Sequence, residues 1–219
     1  MELAEAKKIS PDERRNTILD IAHNAFMRDG YAGASMSRIA AELGGSKTTL
    51  YNYFASKKDL FVAVSEREVS RLFDQLFVIE QPFGDFRRTI IALAKRFVAA
   101  LLSDRVVNGY RLIVAESVRF PEVGHTANEV AMAQGLARLA AFFQKAVEAG
   151  QMRPVDPRLA AEQFVNLACG TLHKQRLWNV IAGATAEQIA QEAERVTNTF
   201  LAAFGNDEVA RAARRFTGI

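Results

Sequence analysis

The chain has 219 residues, 49% of them apolar, with a net charge of only +3. That is longer than one small domain and suits two packed helical units, with five prolines arguing against long irregular stretches. The single cysteine, Cys169, excludes an internal disulfide. No window approaches about 18 uninterrupted apolar residues and no basic-then-apolar leader opens the chain, so a cytoplasmic protein is expected.

In chain order, residues 1–9 read as a polar, mobile lead. Ser10-Pro11-Asp12-Glu13 is a helix start: a serine cap, proline at the first helical position and a glutamate placed to complete a capping box. Ile18, Ile21, Ala22, Ala25 and Phe26 then form one buried face, ended at Gly30. A second helix, Ser37–Leu43, carries Ile39, Ala40 and Leu43 on one side and stops at Gly44-Gly45, where glycine accepts a left-handed C-terminus. Ser46 caps a third helix, anchored by Leu50 and Phe54. Lys47, Thr48, Thr49, Tyr51, Asn52 and Tyr53 are left facing outward. Two exposed tyrosines on a turn without an acid call for a partner. The pattern predicts a helix-turn-helix whose partner is duplex DNA.

Ser56-Lys57-Lys58-Asp59 opens a long helix with Leu60, Val64, Leu72 and Leu76 on one side, running to a break at Gln81-Pro82-Phe83-Gly84. Further helices are predicted over 85–103, 105–118, 125–149, 157–182 and 185–204. No run alternates well enough to predict a strand. The fold class is all-α: an N-terminal three-helix helix-turn-helix domain plus a C-terminal helical bundle.

Charge is concentrated in the same place. Between Ser35 and Lys58, Arg38, Lys47, Lys57 and Lys58 face one acid, Glu42, an excess that accounts for the chain's whole net charge of +3. Such a local excess fits phosphate binding confined to one module, although a solvated helix face would explain it equally well.

Ile18-Leu19 to Phe26, then Gly30-Tyr31, Ile39-Ala40, Ser46-Lys47-Thr48-Thr49-Leu50-Tyr51-Asn52-Tyr53-Phe54 and Ser56-Lys57 resemble the DNA-binding domain of the TetR family of bacterial transcriptional regulators, over residues 14–64 without a gap. One departure is Gly45, where the family usually has a small β-branched residue. Further on, Tyr110-Arg111-Leu112-Ile113-Val114-Ala115-Glu116 and Arg119-Phe120-Pro121-Glu122 are similar to the C-terminal half of regulators named after the AefR repressor. The resemblance implies a ligand-responsive DNA-binding regulator, by family default a repressor, released from a palindromic operator by a small, largely apolar molecule. The domains expected are the lead at 1–9, the helix-turn-helix domain at 10–56, a connecting helix at 57–80, a ligand-binding and dimerisation domain at 81–205 and a C-terminal tail at 206–219.

Contact roles follow. Lys47 and Thr48, at the start of the third helix, are assigned to base edges in the major groove, and Asn52 to adenine or backbone. Ser37, Thr49, Tyr51, Tyr53 and Lys57 are assigned to phosphates, with Ser46 orienting a helix N-terminus towards them. Tyr51 or Tyr53 could instead pack on the first helix. The resemblance places a homodimer interface on the last two long helices. Their stripes are Ala161, Val165, Ala168 and Leu172 on one, and Ile189, Val196, Phe200 and Ala203 on the other. Two recognition helices about 34–36 Å apart would then read a palindrome. Phe73, Phe77, Phe97, Phe142, Phe143, Phe164 and Trp178 are candidate cavity walls, with core packing as the competing reading. Arg111, Glu116, His173 and Arg176 are candidate polar anchors.

Two other function classes were weighed. In an enzyme, the GGSKTT run would have to be a phosphate loop, but Ser46 stands where glycine must precede the lysine and a helix precedes it instead of a strand. Gly33-Ala34-Ser35-Met36-Ser37 lacks the last glycine of a nucleophile elbow. His23, His125 and His173 lack metal-site spacing, and Cys169 reads as a buried hydrophobe. No catalytic residue, cofactor or metal is expected. The remaining alternative, a helical protein-protein adaptor, is separated from a regulator by salt-dependent binding to duplex DNA.

Overall fold

The computed structural model describes residues 10–77 and 84–217. Among these residues every regular element is a helix, and the only extended pairing is an isolated antiparallel bridge between Met152 and Gly205. The expected lead at 1–9 and the Gln81–Phe83 part of the expected break lie outside the described residues. The chain forms two compact units. One gathers the residues up to Arg67 together with Leu112–Thr126, and the other takes Glu68–Arg111 with the residues from Ala127 onward.

In the first unit, α1 (Pro11–Gly33) begins with the capping box: the Glu13 amide donates to Ser10 Oγ at 3.1 Å and the Ser10 amide donates to Glu13 Oε2 at 2.8 Å. The regular helix is interrupted at Gly30, whose φ of +73° an L side chain rarely adopts. α2 (Met36–Glu42) ends in the turn made by Gly44, φ +69°, where the Gly44 and Gly45 amides donate to the carbonyls of Ala41 and Ala40. α3 (Lys47–Tyr53) follows, then α4 (Lys57–Leu76). Ile18, Leu19, Phe26, Ile39, Leu50 and Leu60 are fully enclosed and make the core. Phe26, Tyr31, Phe61 and Phe120 form a ring cluster with centroids 5.2–5.9 Å apart, each pair adding about 0.5–1.5 kcal/mol beyond its buried area.

Phe120 belongs to the segment that follows α6 (Asp104–Glu116) and precedes α7 (Pro121–Thr126). The sequence assigned this segment to the C-terminal domain. It clusters with the first unit because Leu112 and Val123 bury themselves in that core.

The second unit is a helical bundle of α5 (Phe86–Leu102), α8 (Gly135–Glu148), α9 (Pro157–Ala168), α10 (Thr171–Leu177), α11 (Ala186–Phe204) and α12 (Asp207–Thr217). The helix expected over 125–149 is divided into α7, a π-helical stretch Ala127–Gln134 and α8. The helix expected over 157–182 breaks at Cys169-Gly170. There the Glu192 carboxylate of α11 takes the place that a side chain on Gly170 would occupy. The expected tail is α12 up to Thr217. Asn206 holds its start by donating to the Gly150 carbonyl and accepting from the Val209 amide, while Ala213 packs into the core. Within that core Phe97, Phe143, Phe164, Phe200 and Phe204 meet ring to ring at 4.9–5.8 Å.

Candidate nucleic-acid interface

α3 is seven residues long and buries one of them, Leu50, completely. Phe54, its C-cap, is also buried and lies beneath the Arg15 guanidinium at 5.5 Å. Ser46 starts the helix by accepting the Thr49 amide at 3.1 Å, and the two hydroxyls lie 3.1 Å apart. Because the cap is internal, the outward side chains are left without assigned work. Ser37, Ser46, Lys47, Thr48, Tyr51 and Asn52 are exposed, Tyr51 at 48%; Thr49 and Tyr53 are half-buried, Tyr53 against the core.

The cations nearby divide into occupied and open. Arg28 bridges Asp29 and Glu42 at 3.0 and 2.9 Å, and Arg38 approaches Asp29 at 3.4 Å. The Arg28 hydrogen bond holds the Asp29 carboxyl below its usual range, and the same contacts, Asp29 first, raise the Arg28 guanidinium further. Arg38 and Glu42, counted in the local charge excess, therefore meet partners on the protein itself. Lys57 is engaged by the protein's own backbone. Its ammonium donates to the carbonyls of Tyr31, Ala32 and Ala34 at 2.8, 3.4 and 3.3 Å and sits 4.5 Å from the centre of the Tyr31 ring. An ammonium has three donors, and the carbonyls at the end of α1 engage them, which argues against Lys57 as a phosphate clamp. Lys47, the first residue of α3, and Lys58, in the first turn of α4, are exposed.

The polar anchors expected in a ligand cavity are also occupied elsewhere. Glu116 accepts the Ala32 amide at 3.3 Å, packs against Gly30 and belongs to the first unit. Beside it the Tyr31 phenol is pushed up to about 12, by burial first and then by its hydrogen bond to Glu122. Arg111 donates to the carbonyls of Arg176 and Leu177 at 2.9 and 3.0 Å, capping the end of α10. Arg176 is buried, donates to the Leu102 carbonyl at 3.3 Å and pairs with Asp104. His173 donates from Nδ1 to the Leu101 carbonyl at 3.2 Å beneath the Tyr110 ring, and burial lowers its pKa. Helix ends leave carbonyls without partners, and these four side chains satisfy amides and carbonyls of that kind.

Of the aromatic candidates, Phe73, Phe97, Phe143 and Phe164 are core, while Phe77 and Phe142 are half-buried with centroids 5.6 Å apart. Trp178 is 71% exposed and cannot line an interior cavity. On the expected dimer stripes, Ala161, Ala168, Val196 and Phe200 are buried within this chain's own core, which removes them from any surface; Val165, Leu172, Ile189 and Ala203 keep part of their area outside. The stripes had marked the intramolecular face because helical apolar periodicity reports burial of either kind. Cys169 is half-buried, and burial pushes its thiol up. Among the described residues no cluster of His, Cys, Asp or Glu could hold a metal ion, and no helix is long and apolar enough to cross a membrane.

Residues 18–64 match the family model of bacterial regulatory proteins of the tetR type, and residues 88–206 match that of the AefR-like transcriptional repressor C-terminal domain. The HTH-type transcriptional activator FasR of Mycolicibacterium smegmatis is 35% identical over 106 residues, 48% of this chain and 48% of FasR, so the match spans about half of that relative's length. The solved structure of the flavonoid-responsive regulator FrrA superposes with a TM-score of 0.75 at 30% identity, covering 90% of this chain and 99% of that one. A regulator structure from Mesorhizobium loti MAFF303099 gives 0.73 at 27% identity, covering 89% and 98%.

Proposed function

The chain belongs to the TetR family of DNA-binding transcriptional regulators, and from that premise we propose that it binds a palindromic operator as a homodimer and is released by a small, largely apolar effector. The observation that carries this reading is the open polar side of α3 over a single buried anchor, Leu50. In this reading Lys47 and Thr48 reach base edges, Lys47 favouring guanine acceptors, and Asn52 meets adenine or backbone. Ser37, Thr49, Tyr51 and Tyr53 hold phosphates, with Ser46 presenting the α3 N-terminus. Lys58 takes the place first given to Lys57.

The second copy docks through the outer side of α9, α10 and α11, where Val165, Leu172, Ile189 and Ala203 retain exposed area. Two-fold pairing matches a two-fold operator and brings affinity into the nanomolar range of specific regulators. The effector we favour is a planar aromatic one taken up beside Phe77 and Phe142, a choice supported by the flavonoid response in the name of FrrA. Both α4 and α6 contribute residues to each unit, so a ligand that shifts either helix acts on the DNA-reading unit along a covalent route. Repression is the proposed sign, supported by the description of the C-terminal family, whereas FasR is named an activator.

Selection of bound fragments from random duplex DNA tests the reading. An enriched inverted repeat with salt-dependent affinity is expected, and saturating flavonoid should weaken it some 5- to 150-fold, a coupling of about 1–3 kcal/mol. Recovery of no preferred sequence, with binding indifferent to salt, would leave the adaptor reading in its place.

A further inference from the structure

Gly45 is a glycine that its own backbone does not require, and its surroundings give a reason for it. Unlike Gly44, it has no positive φ, so the backbone at Gly45 would accept any residue. A neighbouring side chain occupies the place of the missing Cβ. An ideal Cβ on Gly45 would lie 3.2 Å from Nη2 of Arg14, closer than such contacts ordinarily are, and 3.7 Å from Leu43 Cδ2. The Arg14 guanidinium therefore rests directly against the turn that leads into Ser46 and Lys47.

Arg14 also differs from its cationic neighbours in its partners. Arg28 and Arg38 meet Asp29 and Glu42, and Arg67 meets Asp20 and the Asn16 carbonyl. Arg15 lies over Phe54. Arg14 forms no ion pair with any described residue, and its Nε is buried without a hydrogen-bond partner, which leaves the two terminal nitrogens to meet the charge's needs. Glu13, next to it, is occupied in the Ser10 capping box.

We propose that Arg14 is a phosphate-binding residue of the DNA interface, supplied by α1 and admitted to the edge of the recognition helix by the absent side chain at Gly45. The inference rests on the DNA-binding reading of α3. A guanidinium lying against the turn suits a phosphate oxygen better than a lysine does, because its donors form a planar, rigid fork that matches the phosphate's geometry. It also returns to the interface a cation that Lys57 does not supply, and from a different helix, which would fix the orientation of α3 in the groove.

The experiment measures operator affinity against salt for the full-length wild type, Arg14→Ala, Arg14→Lys and the double variant Arg14→Ala/Gly45→Val, with urea unfolding run on each. Arg14→Ala should weaken all duplexes alike, roughly three- to tenfold, and lower the log–log salt slope by about 0.9 for each bound chain. Arg14→Lys should restore most of the slope. Adding Gly45→Val, which refills the turn with an ordinary β-branched side chain, should restore none of it. An unchanged slope in Arg14→Ala overturns the proposal, as does full recovery of affinity in the double variant, since Arg14 would then only fill space. Should Arg14→Ala fail to fold, Arg14→Gln compared with Arg14→Lys asks the same question at similar shape. A wild type that binds no duplex at all overturns the DNA-binding reading itself, and the two failures are thereby distinguished.

Discussion

α3 and α10 are both seven residues long, both follow a glycine-containing turn, and both carry mostly polar side chains, one of them basic on α3 and three on α10. They handle those side chains in opposite ways. On α3, Lys47, Thr48 and Asn52 stand in solvent, and the helix closes its own start through Ser46. On α10, His173 and Arg176 turn inward onto the last carbonyls of α5, and Arg111 closes the other end. The difference lies in what is nearby. A helix C-terminus presents unpaired carbonyls and partial negative charge, and a cation within reach is drawn to it. α10 lies beside such an end. Lys57 repeats the lesson in the first unit, where the end of α1 takes its ammonium. A basic residue in a helix is available to an outside partner only after the protein's own helix ends are satisfied.

The comparison can be broken most severely at the anchor of α3. Leu50→Ala removes the helix's one fully enclosed side chain and should cost about 2–5 kcal/mol of folding stability, read by urea unfolding, with operator binding lost alongside it. A stable Leu50→Ala protein would mean that α3 is held by something other than its buried face. Next in size is Arg176→Ala, which strands the Leu102 carbonyl and should cost about 1.5–3 kcal/mol while leaving α3 and its affinity for DNA untouched. If that variant kept wild-type stability but lost its effector response, Arg176 would return to the ligand site.

On the open side the expected pattern inverts. Lys47→Ala should leave stability within about 0.5 kcal/mol and lose about 1–3 kcal/mol of binding, confined to particular base pairs. Lys57→Ala and Lys58→Ala sharpen the contrast between neighbours. The first should lower stability by about 1 kcal/mol, whereas the second should leave stability alone and flatten the salt slope. If Lys57→Ala flattened the slope as much as Lys58→Ala, the carbonyls of Tyr31, Ala32 and Ala34 would not be its main partners.

What could be read from the sequence was local. Ser10 and Ser46 cap the helices whose starts they mark in the sequence, and Gly44 takes the left-handed turn, because each of these depends on a few adjacent residues. The separation of Leu50 from the outward side of α3 follows from helical period alone. What could not be read was distant. Arg111 meets carbonyls 65 and 66 residues away, and Glu116 meets an amide 84 residues away. No spacing encodes those pairings. The same holds for Gly170, whose missing side chain leaves room for the Glu192 carboxylate of another helix, and for Leu112 and Val123, whose apolar character marks them as buried without saying in which core. The place of Arg14 against the turn is of the same distant kind. The signal available was the unusual glycine at 45, and it pointed to a missing side chain without naming what fills the space.

The smallest effect expected is a pH dependence that separates the two helices. Burial keeps the folded pKa of His173 below its ordinary value of 6.5, so in the native protein the ring stays neutral while donating from Nδ1 to Leu101. In the unfolded chain the same ring takes up a proton as pH falls through 6.5. The unfolded state then binds more protons than the native state, and stability declines with acidification. The contribution of His173 is thus fully present above 6.5 and is lost as pH drops towards its lowered folded value. His173→Asn keeps a donor near the Nδ1 position and removes the titration, so its Tm should fall less steeply below pH 6.5 than that of the wild type. Lys47→Ala should leave the acid limb unchanged, since that side chain stands in solvent. Parallel acid limbs for wild type and His173→Asn would mean that the ring is hydrated in the native protein, and the inward commitment of α10 would lose its clearest thermodynamic mark.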